Sequence, residues 1–133
     1  MLQGGNALRR RGSARRRVLI VEDEPWVRDV IAEYLQNAGY VVDEAASGVQ
    51  ALERMRSVMP DLVLLDLGLP LMSGPDFVAA VRQEPRLASA AVVVLSGQPD
   101  LTEEVANLGA RASLAKPIDL DVLLAVVDRV SQA

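Results

Sequence analysis

Five positions carry the reactive side chains of this sequence: Glu22 and Asp23 in an acidic run, Asp66, Ser96 and Lys116. The chain has no cysteine and no histidine. A thiol nucleophile, a Ser-His-Asp triad and a Cys-ligated zinc or iron-sulfur centre are therefore excluded, and any chemistry must use carboxylates, hydroxyls, Lys or Arg. Each of the five follows a short apolar run: Glu22-Asp23-Glu24 after 18–21, Asp66 after 62–65, Ser96 after 91–95 and Lys116 after 112–115. If the first and third runs are neighbours in space, Glu22, Asp23 and Asp66 share a pocket, and gathering like charges is costly unless a cation intervenes. A hard divalent ion such as Mg²⁺ suits an all-oxygen site of one or two carboxylates with positions left for water and phosphate oxygens. Lys116 would then neutralise a phosphoryl oxygen as a point charge and the Ser96 hydroxyl donate to another. The chemistry implied is phosphoryl transfer onto, and off, the Asp66 carboxylate.

The elements that must place these groups are legible as an alternation. The runs at 18–21, 40–42, 62–65, 91–95 and 112–115 are too short for helices and rich in apolar or β-branched residues, so they read as strands. Between them, apolar residues recur at helical spacing: Trp26, Val27, Val30, Ile31, Tyr34 and Leu35 behind Pro25; Val49, Leu52, Met55 and Met59 behind Ser47; Phe77, Val78 and Val81; then a short helix over 101–108. Leu120, Leu123, Leu124, Val127 and Val130 form a closing amphipathic helix. Five strands alternating with five helices predict parallel pairing in a doubly wound α/β sheet covered on both faces, its strands apolar on both sides. Ligands of such sheets bind outside the carboxyl ends of the strands, which is where the five reactive residues fall.

Composition bounds the rest. A chain of 133 residues, 50% apolar and 24% charged, describes one globular domain without a membrane-length apolar stretch, and it reads as cytoplasmic. The net charge of −4 conceals a division: residues 1–17 hold six of the 14 basic residues and no acid, leaving eight against 18 in the remainder, a net of −10. That leader, rich in Gly and Arg, is expected to be a disordered basic tail; a linker is the plainer reading and a nucleic-acid or membrane-touching arm the sharper one. The acidic body, without interleaved aromatic and basic residues, argues against nucleic-acid binding by the domain itself.

Taken singly, each reactive residue has a commoner role. Glu24 suits the first turn of a helix, Asp66 before a Gly/Pro loop suits a turn, Ser96-Gly97 suits a turn and Lys116-Pro117 ends a strand. Four strand ends delivering complementary groups to one side is what favours the functional reading.

On these residues, 18 to about 130 resemble the receiver domain of two-component response regulators. Glu22-Asp23 is similar to the family's acidic pair, Asp66 to its phosphoacceptor, Leu69-Pro70 and Gly74 to its following loop, Ser96-Gly97 to its hydroxyl position and Lys116-Pro117 to its lysine and proline. The resemblance implies a flavodoxin-like five-stranded sheet in the order 2-1-3-4-5, the order for which the family serves as a known example. It also implies Mg²⁺ held by Asp23, Asp66 and the Gly68 backbone carbonyl, with Glu22 acting through water, and a cis Lys116-Pro117 bond. The donor would be a phosphohistidine on a sensor histidine kinase or histidine phosphotransfer protein. The domain would catalyse only its own phosphorylation and dephosphorylation, act on a downstream protein, and be a monomer or weak dimer. Gly68 and Gln98 fall where the family tunes dephosphorylation.

Two departures stand out. The family usually has Tyr or Phe three residues before the lysine; here that residue is Ser113. The interval from Ser96 to Lys116 is shorter than usual, so the fourth helix or its preceding loop should be shortened. The signal is accordingly expected to travel through loops 67–74 and 97–100 rather than an aromatic switch. The other classes considered are an aspartate-nucleophile phosphatase, disfavoured by Gly68 where a second acid is wanted, and a degenerate receiver acting only as an interaction module.

Overall fold

Short runs of four to six residues form every strand, apolar throughout or nearly so in the three inner ones, and each is bounded by residues that turn the chain or begin a helix. The computed structural model describes residues 15–97, 103, 107 and 109–132. In chain order these form β1 (Arg17–Val21), α1 (Pro25–Asn37), β2 (Val41–Ala45), α2 (Gly48–Ser57), β3 (Leu62–Asp66), α3 (Gly74–Gln83), β4 (Ala91–Ser96), β5 (Ala112–Ala115) and α4 (Leu120–Ser131). The strands pair in parallel in the order β2-β1-β3-β4-β5, as the resemblance implied. Four helices are present among the described residues; the helix read over 101–108 lies outside them apart from Glu103 and Asn107, both in helical conformation.

Helix starts follow the expected chemistry. Ser47 accepts a hydrogen bond from the Gln50 amide at 3.1 Å, and Gln50 reaches back to accept from the Ala46 amide at 2.6 Å. Ser73 caps α3 through the Asp76 amide, and Asp119 caps α4 through Asp121 and Val122. Helix α1 lacks a capping side chain; Pro25 begins it and Gly39, at φ 102°, allows the turn into β2.

Strand alternation divides the core in two. Leu19, Val21, Val63, Leu65, Val92 and Val94 face α2 and α3 around Phe77, whereas Val18, Ile20, Leu62, Leu64, Val93 and Leu95 face α1 and α4. The three inner strands are apolar on both sides, as predicted. The edge strands correct that expectation. β2 is largely half-buried and carries Asp43 and Glu44, while β5 alternates half-buried and exposed residues, because each has a neighbour on one side only. Two boundaries also move. β1 begins at Arg17, whose amide donates to Asp61 at 2.8 Å and whose guanidinium pairs with Asp43 at 2.7 Å. Tyr40 precedes β2 instead of starting it: the ring is buried against α1 and α4, with its hydroxyl donating to Asp128 and lying 3.3 Å from Ser131.

Register brings the reactive residues together. Val21 lies beside Leu65, so the residues that follow, Glu22 and Asp66, leave adjacent strands side by side; Asp66 pairs with Leu95, and Ser96 with Ala115, directly before Lys116. The ladder continues past the strands through Glu22 to Ala45, Leu67 to Leu95 and Lys116 to Ser96.

Candidate functional site

At the carboxyl end of the sheet a cavity of about 380 Å³ is lined by Glu22, Asp23, Glu24, Asp66, Leu67, Gly68, Ser96, Gly97 and Lys116. The five reactive residues read from sequence and Gly68 all lie on it. Glu22, Asp66 and Ser96 are buried and Asp23 is exposed. One carboxylate oxygen from each of Glu22, Asp23 and Asp66 falls within 4.8 Å of the others, close enough for one cation to lie among them.

The cup's wiring follows from its charges. Lys116 Nζ donates to Asp66 Oδ1 at 3.0 Å and stands 3.7 Å from Glu22 Oε1. The Gly68 amide donates to Asp66 Oδ1 at 3.2 Å, and the Glu24 amide to Glu22 Oε2 at 3.2 Å. Burial pushes the Glu22 carboxyl above its ordinary value; the Glu24 amide opposes that shift and the charge of Asp66 reinforces it. For Lys116 burial pulls downward, but the hydrogen bond and charge of Asp66, with Glu22 behind them, prevail and hold the ammonium above its ordinary value. Glu22 Oε1 is fully buried without a hydrogen-bond partner, and 3.7 Å to Lys116 is too long to supply one. A buried acceptor facing two further carboxylates fits a divalent cation, which would satisfy the oxygen and relieve the repulsion together.

The loop after Asp66 is shaped for close approach. A Cβ on Gly74 would lie 2.2 Å from Leu67 Cδ2 and 3.2 Å from its Cα, so the start of α3 can press on this loop only without a side chain. At the loop's tip Leu71 takes φ 71° and is 96% exposed, in a turn closed by the Met72 amide donating to the Pro70 carbonyl at 2.7 Å. The Lys116-Pro117 bond is cis, as the resemblance implied. Ser113 is exposed on β5. Gln98 and most of loop 97–100 lie outside the described residues.

Sequence reasoning missed Arg28. Its Nη1 donates to the Glu22 carbonyl at 2.7 Å and its Nε to Glu44 Oε1 at 3.1 Å. The signal was available: a cation near the amino end of a helix opposes the dipole, so its presence there points to a local partner.

Comparison with known proteins agrees with this arrangement. The family profile described as Response regulator receiver domain matches residues 18–128. The transcriptional regulatory protein PdtaR of Mycobacterium tuberculosis is 37% identical over 114 residues, 85% of this chain and 55% of that protein. Sporulation initiation phosphotransferase F of Bacillus subtilis is 33% identical over 105 residues, 79% of this chain and 85% of that one. The structure of chemotaxis response regulator CheY4 of Vibrio cholerae superposes with a TM-score of 0.83 at 32% identity, covering 88% of this chain and 99% of CheY4. The chain spans about half the length of several curated relatives it matches, PdtaR among them.

Proposed function

The chain belongs to the response regulator receiver domain family, and from that premise we propose that Asp66 is its phosphoacceptor, working in a Mg²⁺-filled cup. The observation that carries the reading is the buried, unpartnered Glu22 Oε1 beside Asp23, Asp66 and Lys116. Asp23 and Asp66 would hold the ion with the Gly68 carbonyl, and Glu22 would reach it through water. Bound there, Mg²⁺ would neutralise the carboxylates and the incoming phosphoryl oxygens.

The chain's own groups divide the remaining work. An Asp66 oxygen attacks the phosphorus of a phosphohistidine on a sensor kinase or phosphotransfer protein; the P–N bond breaks, the P–O bond forms, and the imidazole leaves with the donor. The Lys116 ammonium sits on Asp66 and follows the charge to a phosphoryl oxygen, while the Ser96 hydroxyl donates to another. Glu22 and Asp23, lining the same cavity, set the charge an arriving phosphoryl group must meet. Later hydrolysis of the acyl phosphate resets the domain. This reading sets the exchange in the cytoplasm and passes the signal to a downstream protein through the loops around Asp66 and Ser96.

Incubation with acetyl phosphate and Mg²⁺ should add one phosphoryl group to the intact mass of the wild type and none to Asp66→Ala. A gain that survives the substitution, or no gain in the wild type, overturns the assignment.

A further inference from the structure

We propose that Arg28 is a positioning residue for the acidic cup: its guanidinium forks between the Glu22 carbonyl and Glu44, and so sets the Glu22-Asp23 turn in the shape that takes up Mg²⁺. The proposal rests on the phosphoacceptor reading for the identity of the ion.

The turn between β1 and α1 needs such a device. Both acids of the pair lie on it, Glu22 buried and Asp23 exposed, yet α1 has no capping side chain to fix where the helix begins. The main chain at Glu22 is held from two sides. Its amide donates to the Ala45 carbonyl at 3.0 Å, and its carbonyl accepts from Arg28 Nη1 at 2.7 Å. Arg28 is itself anchored by Glu44, one residue before Ala45 on β2. Both restraints therefore end on the last two residues of one strand. The rigid, planar guanidinium satisfies both acceptors from one side chain whose exposure is only 18%. An ammonium has the charge without the fork.

Placement argues the same way. Arg28 lies near the amino end of α1, where the helix dipole disfavours a cation, so its position is paid for by these two bonds. Partners of this kind, touching a metal site's main chain rather than the ion, orient the ligands that do.

The test is Mg²⁺ titration by calorimetry, paired with amide exchange of residues 22–24 in metal-free protein. Arg28→Met should weaken Mg²⁺ binding about tenfold and speed exchange at those amides. Arg28→Lys should behave much like Arg28→Met. Glu44→Gln, which keeps an oxygen acceptor for Nε, should stay near wild type, whereas Glu44→Ala should lose part of the affinity. Circular dichroism identifies folded variants, and Glu44→Ala, on an edge strand, tests the anchor should Arg28→Met not fold. Wild-type affinity in Arg28→Met, or in Glu44→Ala if that is the folded variant, overturns the role; full recovery in Arg28→Lys also overturns it, by reducing the residue to its charge. Mg²⁺ binding that depends on Arg28 in a protein whose Asp66 takes no phosphoryl group would leave this role standing and remove the phosphoacceptor reading.

Discussion

The two flanks of the cup are built to different standards. The acids Glu22 and Asp66 continue or end β1 and β3, inner strands whose apolar residues are buried on both faces, and both carboxylates are themselves buried. On the other flank, Lys116 follows β5, a four-residue edge strand that alternates half-buried and exposed side chains, and the lysine stays about one third exposed on its flexible stem. The acids are therefore unable to move apart to relieve their repulsion, while the cation that answers them can shift. Like charges held on a stiff ladder draw counter-charge to themselves, and the compliant flank is where a change of charge at Asp66 would be felt.

The hardest blow to this picture would come at Asp66 itself: Asp66→Asn should abolish acetyl phosphate labelling by intact mass while leaving the fold intact by circular dichroism. Next in size is the contrast between strands. Leu64, fully buried on β3, should cost about 3 kcal/mol or more when truncated to Ala, and the same change at half-buried Leu114 on β5 should cost less than half as much, measured by urea unfolding. Equal losses would erase the distinction between the flanks.

A smaller effect is expected with pH. Burial raises the folded-state value of Glu22 above its ordinary 4.5, so its contribution to metal-free stability is greatest below about 4.5 and is lost as pH rises through the folded value. The urea midpoint of Glu22→Gln should therefore gain on wild type as pH rises from 4.5, and saturating Mg²⁺ should shrink that gain by favouring the carboxylate. The smallest change is predicted at Ser113: exposed on β5, its replacement by Ala should alter stability by less than about 0.5 kcal/mol and leave labelling of Asp66 unchanged. A marked loss of labelling would show that the exposed face of β5, and not Lys116 alone, takes part in the chemistry.

The legible parts of this molecule are those written in local patterns. The apolar runs ending in Asp66 and Ser96 expose both the strands and the groups they carry, because parallel strands buried on both faces leave little room for ambiguity. Ser47 as a cap and the glycine-bounded loop after Asp66 are likewise readable from residue type. What escaped depends on partners distant in sequence. Tyr40 has the look of a strand residue, and only the arrival of Asp128 and Ser131 explains why it turns inward instead. The ties of Arg28 to Glu22 and Glu44 require knowing that β2 lies against β1, which no single segment states. The half-exposed edges are a property of the assembled sheet and of neither edge sequence alone.

One contact pattern bears on how the chain is made. Helix α1 covers its side of the sheet together with α4, and Tyr34 and Tyr40 hydrogen-bond to Asp121 and Asp128 of that last helix. Synthesis from the amino end delivers Ile31 and Leu35 long before Leu123 and Val127 emerge from the ribosome to cover them. The nascent domain must therefore carry an open greasy flank until its final turns appear, and truncation within α4 should convert a signalling protein into a substrate for chaperones and proteases.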